Sequence, residues 1–330
     1  MFDTFLYAFR AVLPILLMIT LGYLVQKVGP WDRRFYKSLN KLCFQLFLPM
    51  QLFCNVYAIE DLSSMNWRVI GYLLVGIFAA LLLGVVCAKL FVKQRNQQGV
   101  IVQAAFRSNY AIFGLPLAEV LGGAAAMGFA SMTSAVGVTT FNILAVFVLT
   151  AYAETPGYHV DGKKILHDLL HNPLIISIVS GLLLVLLRQL HIVPAFFLRD
   201  RLPSFYEVLR KFGQAATPLM IFVLGATLDF GEVRNFLPQL SLGLILRLLA
   251  VPVLMIGGAL LLKTPLHLTV VEMPALVAAF ASPVAVSSAV MVQELGGDDQ
   301  LASQLVVWSC VLSLATIFLL TWGLRSIGAL

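Results

Sequence analysis

Charge is scarce in this chain. Of 330 residues, 12% are Asp, Glu, Lys or Arg and 60% are hydrophobic, with a mean hydropathy of +0.93. A soluble domain this short of charge could not cover its surface. Cysteine is sparse too: Cys43, Cys54, Cys87 and Cys310 lie in apolar runs and form no CxxC pair. That predicts buried free thiols, not a disulfide framework or a thiolate metal site. Walker loop, GxSxG, dinucleotide fingerprint and HExxH are all missing, so neither ATP hydrolysis nor the common membrane enzymologies are expected. His167 and His171 stand at i, i+4, but no carboxylate or cysteine motif accompanies them. No metal and no cofactor are therefore expected.

What the chain has instead is apolar runs of about twenty residues, the length that crosses a bilayer as a helix and not the alternating segments of a barrel. The net charge of +6 could suggest nucleic acid. The basic residues, however, cluster between the runs, where they set topology, so no nucleic-acid partner is expected. The first run lacks a small-residue cleavage site and passes into Gly29-Pro30 and a basic loop, so it reads as a span and not a signal peptide.

Ten spans are predicted, near 5–27, 38–58, 68–92, 99–121, 127–151, 173–190, 205–228, 236–262, 268–293 and 300–324. Residues 1–152 form a first five-helix repeat. Residues 153–172 form a polar connecting loop with an amphipathic turn around Ile165–Leu170. Residues 173–330 form a second repeat. Five is odd, so the second repeat enters from the opposite side and is inverted. Lysine and arginine counts in the first half put the N-terminus outside and the connecting loop in the cytoplasm. Arg188, Arg199, Arg201, Arg210 and Lys211 disagree with that assignment, and a miscounted span near 194–211 is one way to reconcile them.

The informative stretch is Ala104–Gly123, AAFRSNYAIFGLPLAEVLGG, which returns 174 residues later as AAFASPVAVSSAVMVQELGG with 8 of 20 positions identical. The first copy carries Arg107, Ser108 and Asn109 ahead of Gly114 and Pro116, and the second carries Ser282, Pro283, Ser287 and Ser288. Proline removes a donor and glycine eases unwinding, so both spans should break near mid-membrane. Broken backbone at that depth survives only inside protein or beside a water-filled cavity. Paired breaks in two halves point to a transporter binding site.

Asn109 could bond a substrate carboxylate, or cap the second half-helix. Arg107 could hold an anion, or pair with Glu272 or Glu119. Ser108 and Gly114 flank the break. Thr139 and Asn142, with Ser313 and Thr316, stand on the spans that follow it. Gln51 and Asn55, after Pro49, could reach the same space. The exposed N-terminal dipoles of two half-helices would favour an anion there.

At these residues the chain resembles the auxin efflux carrier family in its bacterial form. The likeness rests on LFLPMQLF, SNYAIFGLPLAEVLGG, ATPLMIFVLGATLDF and AFASPVAVSSAVMVQELGGDDQLASQLVVWSCVLSLATI. The resemblance implies an all-α integral membrane protein of ten transmembrane helices, as two inverted five-helix repeats with crossing, broken helices four and nine. It implies transport of small organic anions such as malate-like or auxin-like acids. The family's crossover asparagine falls on Asn109 and its span-nine proline on Pro283. Bacterial relatives often show GNTG before GLPL, where this chain has SNYAIFGLPL and a bulky Tyr110. The expectation is a secondary transporter of a bacterial inner membrane, not an enzyme, working by alternating access. A coupling proton or sodium ion, membrane lipid and a homodimer are the further partners it allows. An anion channel or a non-transporting membrane sensor is the alternative.

Overall fold

The computed structural model describes residues 2–58, 66–153, 170–192, 197–228, 233, 236–266 and 268–330, with side chains from residue 13 onward. Among these the secondary structure is helical, apart from one isolated antiparallel bridge, Ser108 to Val284. The helices are α1 (Phe2–Val28), α2 (Arg33–Leu42), α3 (Leu48–Tyr57), α4 (Trp67–Phe91), α5 (Arg95–Phe106), α6 (Leu115–Tyr152) and α7 (Pro173–Gln189). They continue as α8 (Phe197–Arg201), α9 (Pro203–Thr227), α10 (Leu237–Ile245), α11 (Val251–Leu261), α12 (Glu272–Ala281), α13 (Ser287–Glu294) and α14 (Asp299–Ser326). Wider π-turns join α2 to α3 (Cys43–Phe47), lead into α6 (Tyr110–Gly114) and join α10 to α11 (Leu246–Ala250).

This is a membrane protein. Among the described residues four segments are long and apolar enough to cross a bilayer: Trp67–Phe91, Tyr110–Tyr152, Leu237–Leu261 and Asp299–Ser326. Leu13–Val28, Pro173–Gln189 and Glu272–Ala281 are shorter apolar helices. Lipid-facing positions stay apolar, as Val75, Phe78, Leu82 and Leu90 on α4 do.

Several expected boundaries shift. Arg33, Arg34, Lys37 and Lys41 lie not in a loop but on the exposed face of α2, which Asp32 starts by accepting from Phe35 N at 2.9 Å. No extra span lies among the described residues near 194–211. Among the described residues there, α8 is five residues long and exposed, and α9 starts at Pro203. Arg188, counted with that connection, turns inward and donates from Nη1 to Tyr57 O at 3.4 Å. The amphipathic turn, apart from Leu170, and His159, His167 and His267 lie outside the described residues.

Between the fourth and fifth predicted spans helical assignment runs straight through α6, yet Gly123 sits at φ 74°, ψ −170°. That region is open essentially to glycine alone. Gly296, after α13, repeats the device at φ 78°.

The helices pack as two groups. α1, α3, α7 and α9 lie on one another and form a panel, with α2 against α9. α4, α5, α6 and α10 to α14 form a bundle around the two breaks. Each group draws on both halves of the chain. Asn40 Nδ2 to Glu294 Oε1 at 3.0 Å and Gln300 Nε2 to Thr227 O at 3.3 Å tie panel to bundle beside the turn from α13 to α14.

Candidate functional site: the crossing of two broken helices

Backbone accounting explains how the breaks hold. In an unbroken helix Asn109 N would bond Ala105 O, Val284 N would bond Phe280 O and residue 283 would bond Ala279 O. Here Asn109 N donates to Pro283 O at 2.8 Å, and Ala285 N to Arg107 O at 3.3 Å. The two extended segments therefore pair as a short antiparallel ladder around Ser108 and Val284. Val284 N instead donates to Ser309 Oγ at 3.1 Å. Pro283 has no N–H to offer. The carbonyls of Ala105, Phe106, Ala279, Phe280 and Ser282 are left to be satisfied by something else.

That something is Arg247, on the π-turn between α10 and α11 and 0% exposed. Its Nε donates to Ser282 O at 2.9 Å. Nη1 reaches Ala105 O at 3.1 Å and Phe106 O at 3.4 Å, and Nη2 reaches Phe280 O at 2.6 Å and Ala279 O at 3.3 Å. One guanidinium thus closes the C-terminal ends of both first half-helices. Sequence reading passed over it. The available signal was a lone arginine in LSLGLILRLLAVPVLMIGG, an intramembrane charge that marks a pathway or a pair by default.

On the other side of the crossing lies a cavity of about 60 Å³, room for about four waters. The panel contributes Leu48, Gln51, Leu52, Asn55, Thr217 and Met220. The bundle contributes Arg107, Ser108, Asn109, Tyr110, Asn142 and Ser287, among others. Gln51 Nε2 donates to Thr217 Oγ1 at 3.0 Å, fixing the panel wall. The residues at the start of the second half-helix, Tyr110, Ala111 and Ile112, are also part of the lining. N–H groups in such a first turn have no acceptor within their own helix.

Arg107 is 2% exposed. It donates from Nη1 to Ser288 Oγ at 3.0 Å, and from Nη2 to Asn142 Oδ1 at 2.7 Å and Ser287 Oγ at 2.8 Å. Among the described residues no carboxylate pairs with it. Glu272, one expected partner, instead accepts from Thr269 N at 2.9 Å and from the Thr269 hydroxyl on an exposed turn. All three partners of Arg107 are neutral, and two of them stand on the first turn of α13, where the helix dipole is also positive.

The other expected residues divide. The Asn109 side chain makes no capping bond, so the reading as a helix cap does not hold. Among the described residues its Nδ2 is buried without a partner, and so is Ser108 Oγ. Asn142 Nδ2 donates to Val138 O at 2.7 Å while its oxygen holds Arg107. Ser282 Oγ turns away, to Ala278 O of its own helix at 2.5 Å, and Thr139 Oγ1 does the same to Ala135 O at 2.6 Å. Neither lines the cavity, and Pro283 contributes its carbonyl to the ladder. Gly114 does not line it either. A Cβ there would sit 2.7 Å from Tyr110 Cδ2 and 2.8 Å from Ala278 O, so glycine lets α12 approach the break. Tyr110 is anchored by its hydroxyl, 2.7 Å from Thr133 Oγ1. Gln51 and Asn55 do reach the cavity, together with Thr217, which the sequence reading did not single out.

A family model described as membrane transport protein, that of the auxin efflux carriers, matches residues 7–321, and the chain belongs to this family. No curated protein matches it. The family is one of membrane transporters and not of enzymes.

Proposed function

We propose that this membrane transport protein carries small organic anions, of the size of malate or an auxin-like acid, by alternating access around the cavity at the crossing. The observation that carries the reading is Arg107: a buried cation on the cavity wall with three neutral partners and no acid among the described residues. Two half-helix N-termini add roughly half a positive charge each. An anion is the guest that balances such a wall, and charges kept inside membrane proteins are commonly pathway charges. The unpartnered Ser108 Oγ and Asn109 Nδ2 are donors for its oxygens.

One further point supports alternating access. The cavity lies between panel and bundle, so relative movement of these groups would open it to one face or the other. The reading carries with it ten spans arranged as two inverted five-helix repeats, 1–152 and 173–330, in a bacterial inner membrane; the paired breaks that bond each other at 107–109 and 283–285 support the repeat.

The test is uptake by purified protein in liposomes. Malate, other dicarboxylates and indole-3-acetate are offered under imposed proton, sodium and voltage gradients. Saturable uptake with counterflow is expected for at least one acid. Asn109→Ala should lower uptake while the protein still inserts and melts normally. Non-saturable flux would favour a channel, and wild-type uptake by the Asn109→Ala protein would remove Asn109 from the site.

A further inference from the structure

The five carbonyl oxygens around Arg247 form a cage of a recognisable kind. Unwound backbone and half-helix C-terminal ends are the groups that coordinate sodium in transporters built on broken helices. Each helix end carries roughly half a negative charge, so two converging ends together call for about one positive charge. Here that charge is on the chain. Arg247 is 0% exposed and uses Nε, Nη1 and Nη2 on oxygens from both α5 and the α12 end, at 2.6 to 3.4 Å. It is not a cavity-lining residue. Among the described residues no cluster of His, Cys, Asp or Glu offers a metal site elsewhere.

We propose that Arg247 is a built-in counter-ion: its guanidinium permanently fills the carbonyl cage that a free monovalent metal cation would otherwise occupy, so the transport cycle needs no sodium at the crossing. This deepens the transport reading and rests on it for the statement about the cycle. The cage itself is independent of that reading. Arg247 is a positioning residue, acting through the two half-helix ends and not on the substrate.

The experiment has two arms. In the first, malate and indole-3-acetate uptake by wild-type protein in liposomes is compared in sodium, potassium and N-methylglucamine media. Equal rates are expected, and a tenfold or greater fall on removing sodium, about 1.4 kcal/mol of coupling, overturns the proposal. In the second, thermal melting in detergent is followed while sodium, potassium or guanidinium is titrated against N-methylglucamine. Wild type and Arg247→Lys, which keep the charge, should not respond. Arg247→Gln keeps donors but loses the charge, and should melt lower and be raised saturably by guanidinium or sodium. If Arg247→Gln cannot be isolated without added cation but is recovered folded in guanidinium or sodium, the proposal also stands. If Arg247→Gln responds no more than Arg247→Lys, or is not recovered under any cation while Arg247→Lys folds, the cage is not a cation site and the proposal falls. Absence of uptake in every medium would count against the transport reading, and the melting arm would still decide the cage.

Discussion

Two arginines are buried within about a turn of the same crossing, and they are placed in opposite ways. Arg247 faces helix C-termini, where the backbone is electronegative, and five carbonyls surround it. Arg107 faces a helix N-terminus, where the backbone is electropositive, and two hydroxyls and an amide oxygen hold it. One charge completes the fold. The other leaves the wall of a cavity short of a negative partner. Burial alone does not separate them, at 0% and 2% exposure. The polarity of the backbone each one meets does.

The contrast can be broken by mutation, and the largest effect should come from Arg247→Met. It strips up to five buried carbonyls of a partner at about 1–3 kcal/mol each, which is comparable with a domain's whole stability of about 5–15 kcal/mol. Loss of folded protein in size-exclusion and melting assays is the expected outcome. Arg107→Gln should do the reverse. A charge-assisted hydrogen bond to an anion contributes about 1.5–3 kcal/mol, so uptake should fall by roughly 10- to 150-fold. Melting should stay level or rise, because a desolvated cation without an acid is itself costly. If Arg107→Gln unfolds the protein as Arg247→Met does, the distinction between the two arginines is lost.

A smaller effect sharpens the cavity side. Ser108→Ala removes a hydroxyl that has no partner, so melting should not change. Uptake should fall by about two- to tenfold if that hydroxyl donates to the guest, in line with about 0.5–1.5 kcal/mol for a neutral bond. The smallest change concerns the tie between panel and bundle. Asn40→Ala breaks its bond to Glu294 and should shift the balance between open faces by about 1 kcal/mol. A Gln51→Cys reporter in the cavity should then label several-fold faster from the face where α13 turns into α14. An unchanged labelling rate would show that this contact does not hold the face shut.

Much of this was legible in the residues. Paired motifs 174 residues apart marked both breaks, and Pro283, having no N–H, explains why the Ala279 carbonyl loses its helical donor and falls to Arg247; Gly114 and Pro116 instead lie within the second half-helix, past the break at 107–109. Arg107, Ser108, Asn109, Asn142 and Ser287 come together at the cavity as a set. What periodicity could not supply was direction. Ser282 and Thr139 sit at the right depth but bond their own helices, as hydroxyls in apolar helices tend to do. Arg247 has Leu73 opposite it at the repeat offset, and Arg107 has Ala281. A search for symmetry therefore draws the eye away from both charges. Of the two roles the sequence leaves open for Arg107, an anion or an acidic partner such as Glu272 or Glu119, the acidic partner is not the one found: neutral oxygens hold it.

The ladder between residues 107–109 and 283–285 has a mechanical consequence. Two rods that exchange hydrogen bonds at their midpoints cannot slide past each other without tearing the joint, and Arg247 rivets the same joint from behind. Tilting one rod would therefore carry the other, so any motion at the crossing would turn it as a single axle against the four-helix wall.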